Sequence, residues 1–293
     1  MNFILFIIGA SLGSFINVLS LRYKSDKPIF NKTILFGRSH CLNCGNTLNW
    51  RELIPIISFI LQRGKCRKCK TGISLQYPIV EIISGLVFVF IPLKIYEIYQ
   101  VGFKALGGPN PIWFYLIAAL FLLFALSLIL LSSIDFRLRI IPDQINLFIA
   151  AIGILLILVS IGYNLSEYAQ NSFIGFYSFL FGFQENIWIN RLIGLISGTV
   201  FLGAITVLSR GRGMGLGDVK LAGAAGLLLG WPDAILGLLL AFIIGAIWSI
   251  ILLLRGSRTL KSAVPFGPFI ALGYLIIIFF GKNLMAGYFM LFP

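Results

Sequence analysis

Residues 111–134, PIWFYLIAALFLLFALSLILLSSI, contain no charged side chain and are followed at once by Asp135. A helix needs about 20 apolar residues to cross the hydrocarbon core of a bilayer, so this stretch predicts a transmembrane span. The rest of the 293-residue chain is similar, with 59% hydrophobic and only 11% charged residues. Soluble globular domains have about a quarter of their residues charged, so that class of protein is excluded.

Seven further apolar runs accompany this one. Together they predict an all-α polytopic membrane protein of about eight transmembrane helices. The predicted spans are 1–21, 78–98, 111–134, 141–163, 188–208, 219–231, 232–254 and 262–281. The sixth is short and runs into the seventh through a turn at Trp231-Pro232-Asp233. The first lacks a preceding basic segment and a following cleavage site, so we interpret it as a retained helix.

The cationic residues indicate the orientation of these spans. The chain has 23 Lys and Arg residues and a net charge of +13, but they lie between apolar runs and do not suggest a nucleic-acid surface. All except Lys94, Lys104, Arg191 and Lys282 fall on one side of the predicted membrane. Because cytoplasmic loops carry excess Lys and Arg, we expect an inner-membrane protein in contact with lipid, with both termini outside.

This topology predicts three segments. They are a first transmembrane helix at 1–21, a cytoplasmic cysteine-rich loop domain at 22–77 and a transmembrane bundle at 78–293. An outer connection at 164–187 is rich in aromatic residues. It is expected to be either an amphipathic helix in the membrane interface or a plain apolar linker.

Two C-x-x-C pairs lie in the loop domain: Cys41 with Cys44 and Cys66 with Cys69, with 21 residues between the pairs. Four thiolates on two turns match a tetrahedral zinc site. The alternative is two disulfides or four idle thiols, and a reducing cytoplasm disfavours the disulfides. A site closed by four cysteines is structural, so Zn²⁺ is expected to order the loop. The neighbouring His40 is then a bystander.

Three acidic residues fall at the predicted cytoplasmic boundary. Asp135 ends the third span, Asp143 begins the fourth after a proline, and Asp218 opens the sixth after a glycine-rich run, GMGLG at 213–217. Two carboxylates brought together there can work as a pair, in which one holds the proton and the other activates water. Glycines beside such a pair let an extended peptide approach closely.

Each of these acids also has a structural interpretation. Asp143 and Asp218 stand where an acidic side chain stabilises the first turn of a helix, and Asp135 has Arg137 and Arg139 beside it. The residues alone therefore leave the catalytic pair open, with Asp143 as a third candidate. They also leave two rival functions, a proton-coupled transporter and a non-enzymatic scaffold of a secretion apparatus.

An ordered set of motifs resembles the type 4 prepilin peptidases, membrane aspartyl proteases with a G-x-G-D signature. The set extends over nearly the whole chain, so it is more specific than any one of its members. In chain order the motifs are GSFINV at 13–18, the two C-x-x-C pairs with WRELIPIISF at 50–59 between them, RGKC at 63–66, YPIVE at 77–81, Asp135 with IPD at 141–143, and GLGDVK at 215–220. Leu53 and Leu138 depart from the family, which often has Asn and His there.

The resemblance implies an enzyme that cuts the basic leader from type IV prepilins or pseudopilins after a glycine, on the cytoplasmic side. It also implies N-methylation of the new N-terminus with S-adenosylmethionine. By motif position it assigns the catalytic pair to Asp135 and Asp218, and the cofactor site to Gly64 and Lys65 in the loop domain. Glu81, just inside the second span, is expected either to take part in methyl transfer or to pair with a loop cation.

Overall fold

The computed structural model describes residues 2–25, 28–29, 31, 37–105, 111–162, 172–183, 186–211, 213–255 and 264–291. In those ranges the α-helices are α1 (Asn2–Arg22), α2 (Ile57–Leu61), α3 (Gln76–Ala105), α4 (Pro111–Leu138), α5 (Asp143–Gly162), α6 (Ile187–Leu208), α7 (Leu216–Leu229), α8 (Asp233–Leu254) and α9 (Gly267–Leu291). Short 3₁₀ helices occur at Trp50–Glu52 and Gly175–Phe181. The described ranges contain no strand, only isolated bridges. The predicted all-α class is confirmed.

The predicted count of eight spans is not confirmed. Over the described residues seven helices are long and apolar enough to cross a membrane: α1, α3, α4, α5, α6, α8 and α9. The predicted sixth span corresponds to α7, which has only 14 residues. At 1.5 Å per residue it is about 21 Å long, shorter than a hydrocarbon core of about 30 Å.

Some predicted features lie outside the described residues. They include the start of the last predicted span, at 262 and 263, and ten residues of the outer connection, at 164–171, 184 and 185. Five of the cations assigned to the cytoplasmic side also lie there: Lys27, Lys32, Arg212, Arg258 and Lys261.

The chain divides into two compact units, Met1–Ile91 and Pro92–Pro293. In the first unit α1 packs closely on the first half of α3, because α1 carries glycines at the contact. A Cβ on Gly13 would lie 2.9 Å from the Cα of Glu81. The side-chain amide of Asn17 donates to the carbonyl of Tyr77 at 3.1 Å. These contacts fix the register of the two helices and so the position of Glu81.

In the second unit α7 packs against both α5 and α6. Gly194 and Gly198 of α6 approach Gly226 and Ala222 of α7 so closely that a Cβ on either α6 glycine would overlap the α7 backbone. Most of α7 after its first turn is therefore buried among other helices. This packing holds in place the first turn of α7, which carries Asp218.

A buried polar network lies near the start of α8, beyond the C-terminal end of α7. Asp233 is fully buried and accepts hydrogen bonds from the hydroxyl of Ser172 at 2.8 Å and the N–H of Phe173 at 2.9 Å. Arg191, also buried, donates to the carbonyl of Leu228 and interacts electrostatically with Asp233. The network therefore anchors the described part of the outer connection to α8.

Candidate functional site

The four cysteines of the loop domain lie together on two similar turns. The N–H of Cys41 donates to the carbonyl of Asn46, and the N–H of Cys66 donates to the carbonyl of Thr71, both at 2.9 Å. All four sulfur atoms lie within 4.8 Å of one another, and Cys41 Sγ is 3.8 Å from Cys69 Sγ.

This geometry suits a tetrahedral metal ion. Zinc–sulfur bonds of about 2.3 Å place neighbouring sulfurs about 3.8 Å apart, so small movements would complete the site. The Asn43 amide of the first turn donates to the Thr71 hydroxyl of the second at 2.8 Å. The hydroxyl and N–H of Thr71, beside the sulfur of Cys69, lower the pKa of that thiol to about 5. The thiolate required of a metal ligand is therefore favoured there.

A cavity of about 510 Å³ lies beside this cluster in the first unit. Its lining includes Cys41 and Cys66, and it extends to Glu81 on α3. That volume is in the range of sites for small molecules and cofactors. The first unit therefore contains both a candidate metal site and a candidate ligand site.

Gly64 and Lys65 are not among the residues that line the cavity. Gly64 forms the turn after α2 with φ of +66°, and a Cβ there would lie 3.1 Å from the Phe59 ring, which does line the cavity. Ile73 donates to the carbonyl of Gly64 at 2.7 Å. Gly64 thus lies behind the Phe59 ring and not on the cavity wall itself.

Asp135 lies near the end of α4 and is only 4% exposed. Its Oδ2 atom accepts a hydrogen bond from the N–H of Gly267, the first residue of α9, at 3.0 Å. That N–H is one of the donors left free at a helix start, and a helix N-terminus favours a negative charge. The carboxyl group is thus held in one orientation by a backbone donor.

Asp218 lies in the first turn of α7, and its Oδ2 accepts from the N–H of Gly215 at 3.2 Å. Between them Gly217 packs on the segment before α5, where a Cβ would lie 3.0 Å from the Cβ of Ile141. Asp218 is close enough to Asp135 for the two carboxyl groups to interact electrostatically. The structure thus places these two acids, from distant parts of the sequence, within electrostatic range of each other.

Asp143 is positioned differently. It begins α5 and is largely exposed, and both of its carboxylate oxygens lie 2.9 Å from Nζ of Lys220. An exposed pair of this kind neutralises the carboxylate without removing it from water. Its geometry is that of a helix-start residue with a surface partner.

Known protein families match two separate segments of the chain. Residues 7–95 match the bacterial peptidase A24 N-terminal domain, and residues 122–250 match the type IV leader peptidase family. A prepilin leader peptidase/N-methyltransferase of Burkholderia pseudomallei strain 1026b is 32% identical over 256 residues, which cover 83% of this chain and 67% of that relative. The chain belongs to the type IV leader peptidase family.

Other relatives match this leader peptidase family member over nearly its full length. Two proteins of the same name, from Bacillus subtilis strain 168 and Aeromonas hydrophila, are each 28% identical over 97% of the chain, and the matches cover 96% and 92% of those relatives. No solved structure matches the chain. With seven membrane-length apolar helices among its described residues, this family member is a multi-pass membrane protein.

One contact in the leader peptidase family member escaped prediction from sequence. Gly267 lies beyond both matched segments, and nothing in its local sequence points to Asp135, more than a hundred residues away. The signal that could have directed attention to it is the Gly267-Pro268 step at the start of the last apolar run. Proline is favoured in the first turn of a helix, so this step marks a helix start, whose first N–H groups have no acceptor within the helix.

Proposed function

We propose that the chain removes the leader from type IV prepilins or pseudopilins with Asp135 and Asp218, and then N-methylates the new N-terminus. The observation that carries this proposal is the approach of two carboxyl groups from α4 and α7, one of them buried and hydrogen-bonded to α9. The names of the relatives support both activities. The rival interpretations as a transporter or a scaffold have no comparable support.

Cleavage by the pair needs one proton shared between two acids. The ionised carboxylate removes a proton from water, and the water oxygen attacks the carbonyl carbon of the scissile peptide bond. The protonated carboxyl supplies a proton to the amide nitrogen as the C–N bond breaks. The nitrogen leaves as the new α-amine, and the pair regains its single proton.

The predicted topology places this chemistry at the cytoplasmic boundary of the inner membrane. The positive-inside rule assigns that side to the loops that follow α4 and precede α7. A prepilin has a short cationic leader before an apolar helix, so its helix can enter the bilayer while the junction stays at the boundary. Since this side of the enzyme is itself cationic, recognition is expected to depend on the apolar helix and the junction glycine.

Gly267→Ala tests how closely Asp135 must be held. The added Cβ would lie 2.7 Å from Oδ2 of Asp135 and 3.1 Å from Leu131, so the carboxyl group must move. A displacement of about 1 Å in a catalytic group costs about a hundredfold. We therefore expect kcat for prepilin cleavage to fall about a hundredfold with KM little changed.

Gly287→Ala is the matched control for this variant. It makes the same change in the same helix, and the added Cβ would meet nothing within 4 Å. Steady-state cleavage by both purified variants is the measurement. Equal kcat values for the two variants would show that the contact between Gly267 and Asp135 has no part in cleavage.

The loop domain is proposed to hold Zn²⁺ through Cys41, Cys44, Cys66 and Cys69, and S-adenosylmethionine in the neighbouring cavity. When bound there, the donor would supply an electrophilic methyl group to the nitrogen of the new α-amine, with its sulfur as the leaving group and the amine proton passing to solvent. Gly64 and Lys65 remain the family-derived candidates near that site. Their geometry supports an indirect role through Phe59 for Gly64.

Cys66→Ser is expected to remove the metal. Loss of one of four thiolates opens a closed structural site, so zinc content measured by elemental analysis should fall from about one per chain to nearly none. Limited proteolysis should then cut within residues 37–75 faster than in the parent protein. His40→Ala is the control and should keep its zinc. If Cys66→Ser keeps the zinc content of the parent protein, the four cysteines are not the zinc site.

A direct assay tests the whole proposal. Purified protein is incubated with a candidate prepilin, with and without S-adenosylmethionine, and the product N-terminus is read by mass spectrometry. We expect cleavage after the glycine in both reactions and a mass increase of one methyl group only when the donor is present. An unchanged prepilin N-terminus would contradict the peptidase assignment.

A further inference from the structure

The carboxyl group of Glu81 is buried on the wall of the first unit's cavity. The side chain is 6% exposed and lies among the cavity-lining residues. Its Oε2 accepts a hydrogen bond from the N–H of Ile56 at 2.7 Å, and the Ser14 side chain lies beside it. These neutral groups orient the carboxyl group and bring no positive charge to it.

The backbone of Ile56 indicates that the surrounding structure imposes the orientation of the Glu81 carboxyl group. It has φ of 63° and ψ of −52°, a combination that is rare for any residue with a side chain and more so for a β-branched one. Such conformations persist where the surrounding structure determines them, and they concentrate at functional sites. Here the strained residue directs its N–H at Glu81.

Glu81 has no cationic partner in the part of the chain that the structure describes. No ion pair joins it to a Lys, Arg or His there. The sequence-based alternative, a pair with a loop cation, is therefore not what the described residues form. A buried carboxylate is strongly disfavoured unless a positive charge compensates it.

Gln76 adds a second unmatched group to the same cavity. Its Nε2 atom is buried, and no described residue accepts a hydrogen bond from it. Gln76 and Glu81 are five residues apart on α3, which separates them by about 7.5 Å along the helix axis. A ligand that complements this wall has a cationic centre at one end and a hydrogen-bond acceptor at the other.

We propose that Glu81 faces the sulfonium centre of the methyl donor, with Gln76 binding the carboxylate of its amino-acid end. This inference rests on the proposed methyltransferase function. The sulfonium lies farther from the donor's carboxylate than the α-ammonium does, so it is the better suited of the two cationic centres to residues about 7.5 Å apart along the helix axis. During transfer the positive charge passes from sulfur to the attacking nitrogen, so one nearby carboxylate stabilises the charge throughout.

The test compares a cationic ligand with its neutral counterpart. S-adenosylmethionine and S-adenosylhomocysteine differ at sulfur by one methyl group and one charge, and both are titrated calorimetrically into the full-length protein. A contact between opposite charges contributes substantially to binding. Glu81→Gln should therefore raise the Kd of S-adenosylmethionine about tenfold or more. Binding of S-adenosylhomocysteine should be unchanged. Gln76→Ala should raise the Kd of both ligands by the same factor.

Glu97→Gln is the matched control. It makes the same change on the same helix but outside the cavity lining, at a carboxylate that pairs with Lys94 at 2.7 Å. Its affinity for both ligands should equal that of the parent. Prepilin cleavage, which depends on Asp135 and Asp218, serves as the check that each variant is folded.

The possible outcomes distinguish a failure of the Glu81 inference from a failure of the proposed methyltransferase function. Parental affinity of Glu81→Gln for S-adenosylmethionine overturns the inference, and so does an equal loss for both ligands, which would indicate a structural role through Ile56 or a contact with the α-ammonium. Failure of the parent protein to bind S-adenosylmethionine contradicts the methyltransferase function itself. Selective loss for the cationic ligand supports both.

Discussion

Asp218→Asn is expected to lower the rate of prepilin cleavage by about a thousandfold or more, and Asp135→Asn to do the same. An amide neither takes a proton from water nor supplies one to the departing amine, so each variant loses one half of an acid–base pair. Because the two groups act as a unit, the double variant should be no slower than either single one. The measurement is the fraction of mature pilin against time, read by mass spectrometry.

Asp143→Asn is the matched control, with the same chemical change at a neighbouring acid. Its carboxylate is paired with Lys220 at the surface, and loss of an exposed pair costs about 0–1 kcal/mol. Cleavage by this variant should therefore stay within about fivefold of the parent. Undiminished cleavage by both Asp135→Asn and Asp218→Asn would refute the pair. Loss of cleavage in Asp143→Asn alone would show that the wrong acid had been chosen.

Asp233→Ala is expected to lower the free energy of unfolding by about 3–5 kcal/mol, the largest stability effect of any single change proposed for this chain. The substitution leaves the Ser172 hydroxyl and the Phe173 N–H without their acceptor. It also removes the negative charge that compensates the buried guanidinium of Arg191. Thermal unfolding in detergent, followed by circular dichroism, measures the change.

Glu97→Ala provides the control for this stability prediction. Glu97 is a half-exposed acid that pairs with Lys94 at 2.7 Å, so its truncation should change the free energy of unfolding by no more than about 1 kcal/mol. If both alanine variants unfold at the parental temperature, the network around Asp233 does not stabilise the fold. A large loss in Asp233→Ala alone supports it.

The long helices were predictable because transfer of apolar side chains into a bilayer dominates their energetics. The predicted span 188–208 agrees closely with α6 (Ile187–Leu208), and 232–254 agrees with α8 (Asp233–Leu254). The predicted span at α7 is not confirmed, because hydropathy does not distinguish a helix that faces lipid from one packed among other helices. Its Gly- and Ala-rich face against α6 is a signature of helix packing that was visible in the sequence.

The candidate sites were predictable to different degrees. The cysteine cluster depends on two short turns, so the local spacing predicted that the four sulfur atoms would meet, as they do in the structure. The approach of Asp135 to Asp218 depends on the packing of α7, and residue chemistry alone left Asp143 as a rival. The contacts of Asp135 with Gly267 and of Asp233 with Ser172 join residues far apart in sequence, and no local sequence pattern predicts which residues meet.

The short length of α7 has a consequence for the supply of water, which peptide hydrolysis consumes. Its 14 residues leave about 9 Å of an average hydrocarbon core unspanned. Because α7 is packed among other helices, the non-helical backbone that flanks it at membrane depth must be buried in protein or line a water-filled cavity. Because Asp218 lies in the first turn of α7, we expect a hydrated notch to open beside the carboxyl groups. A substrate helix could then remain in lipid while its scissile bond enters this hydrated notch.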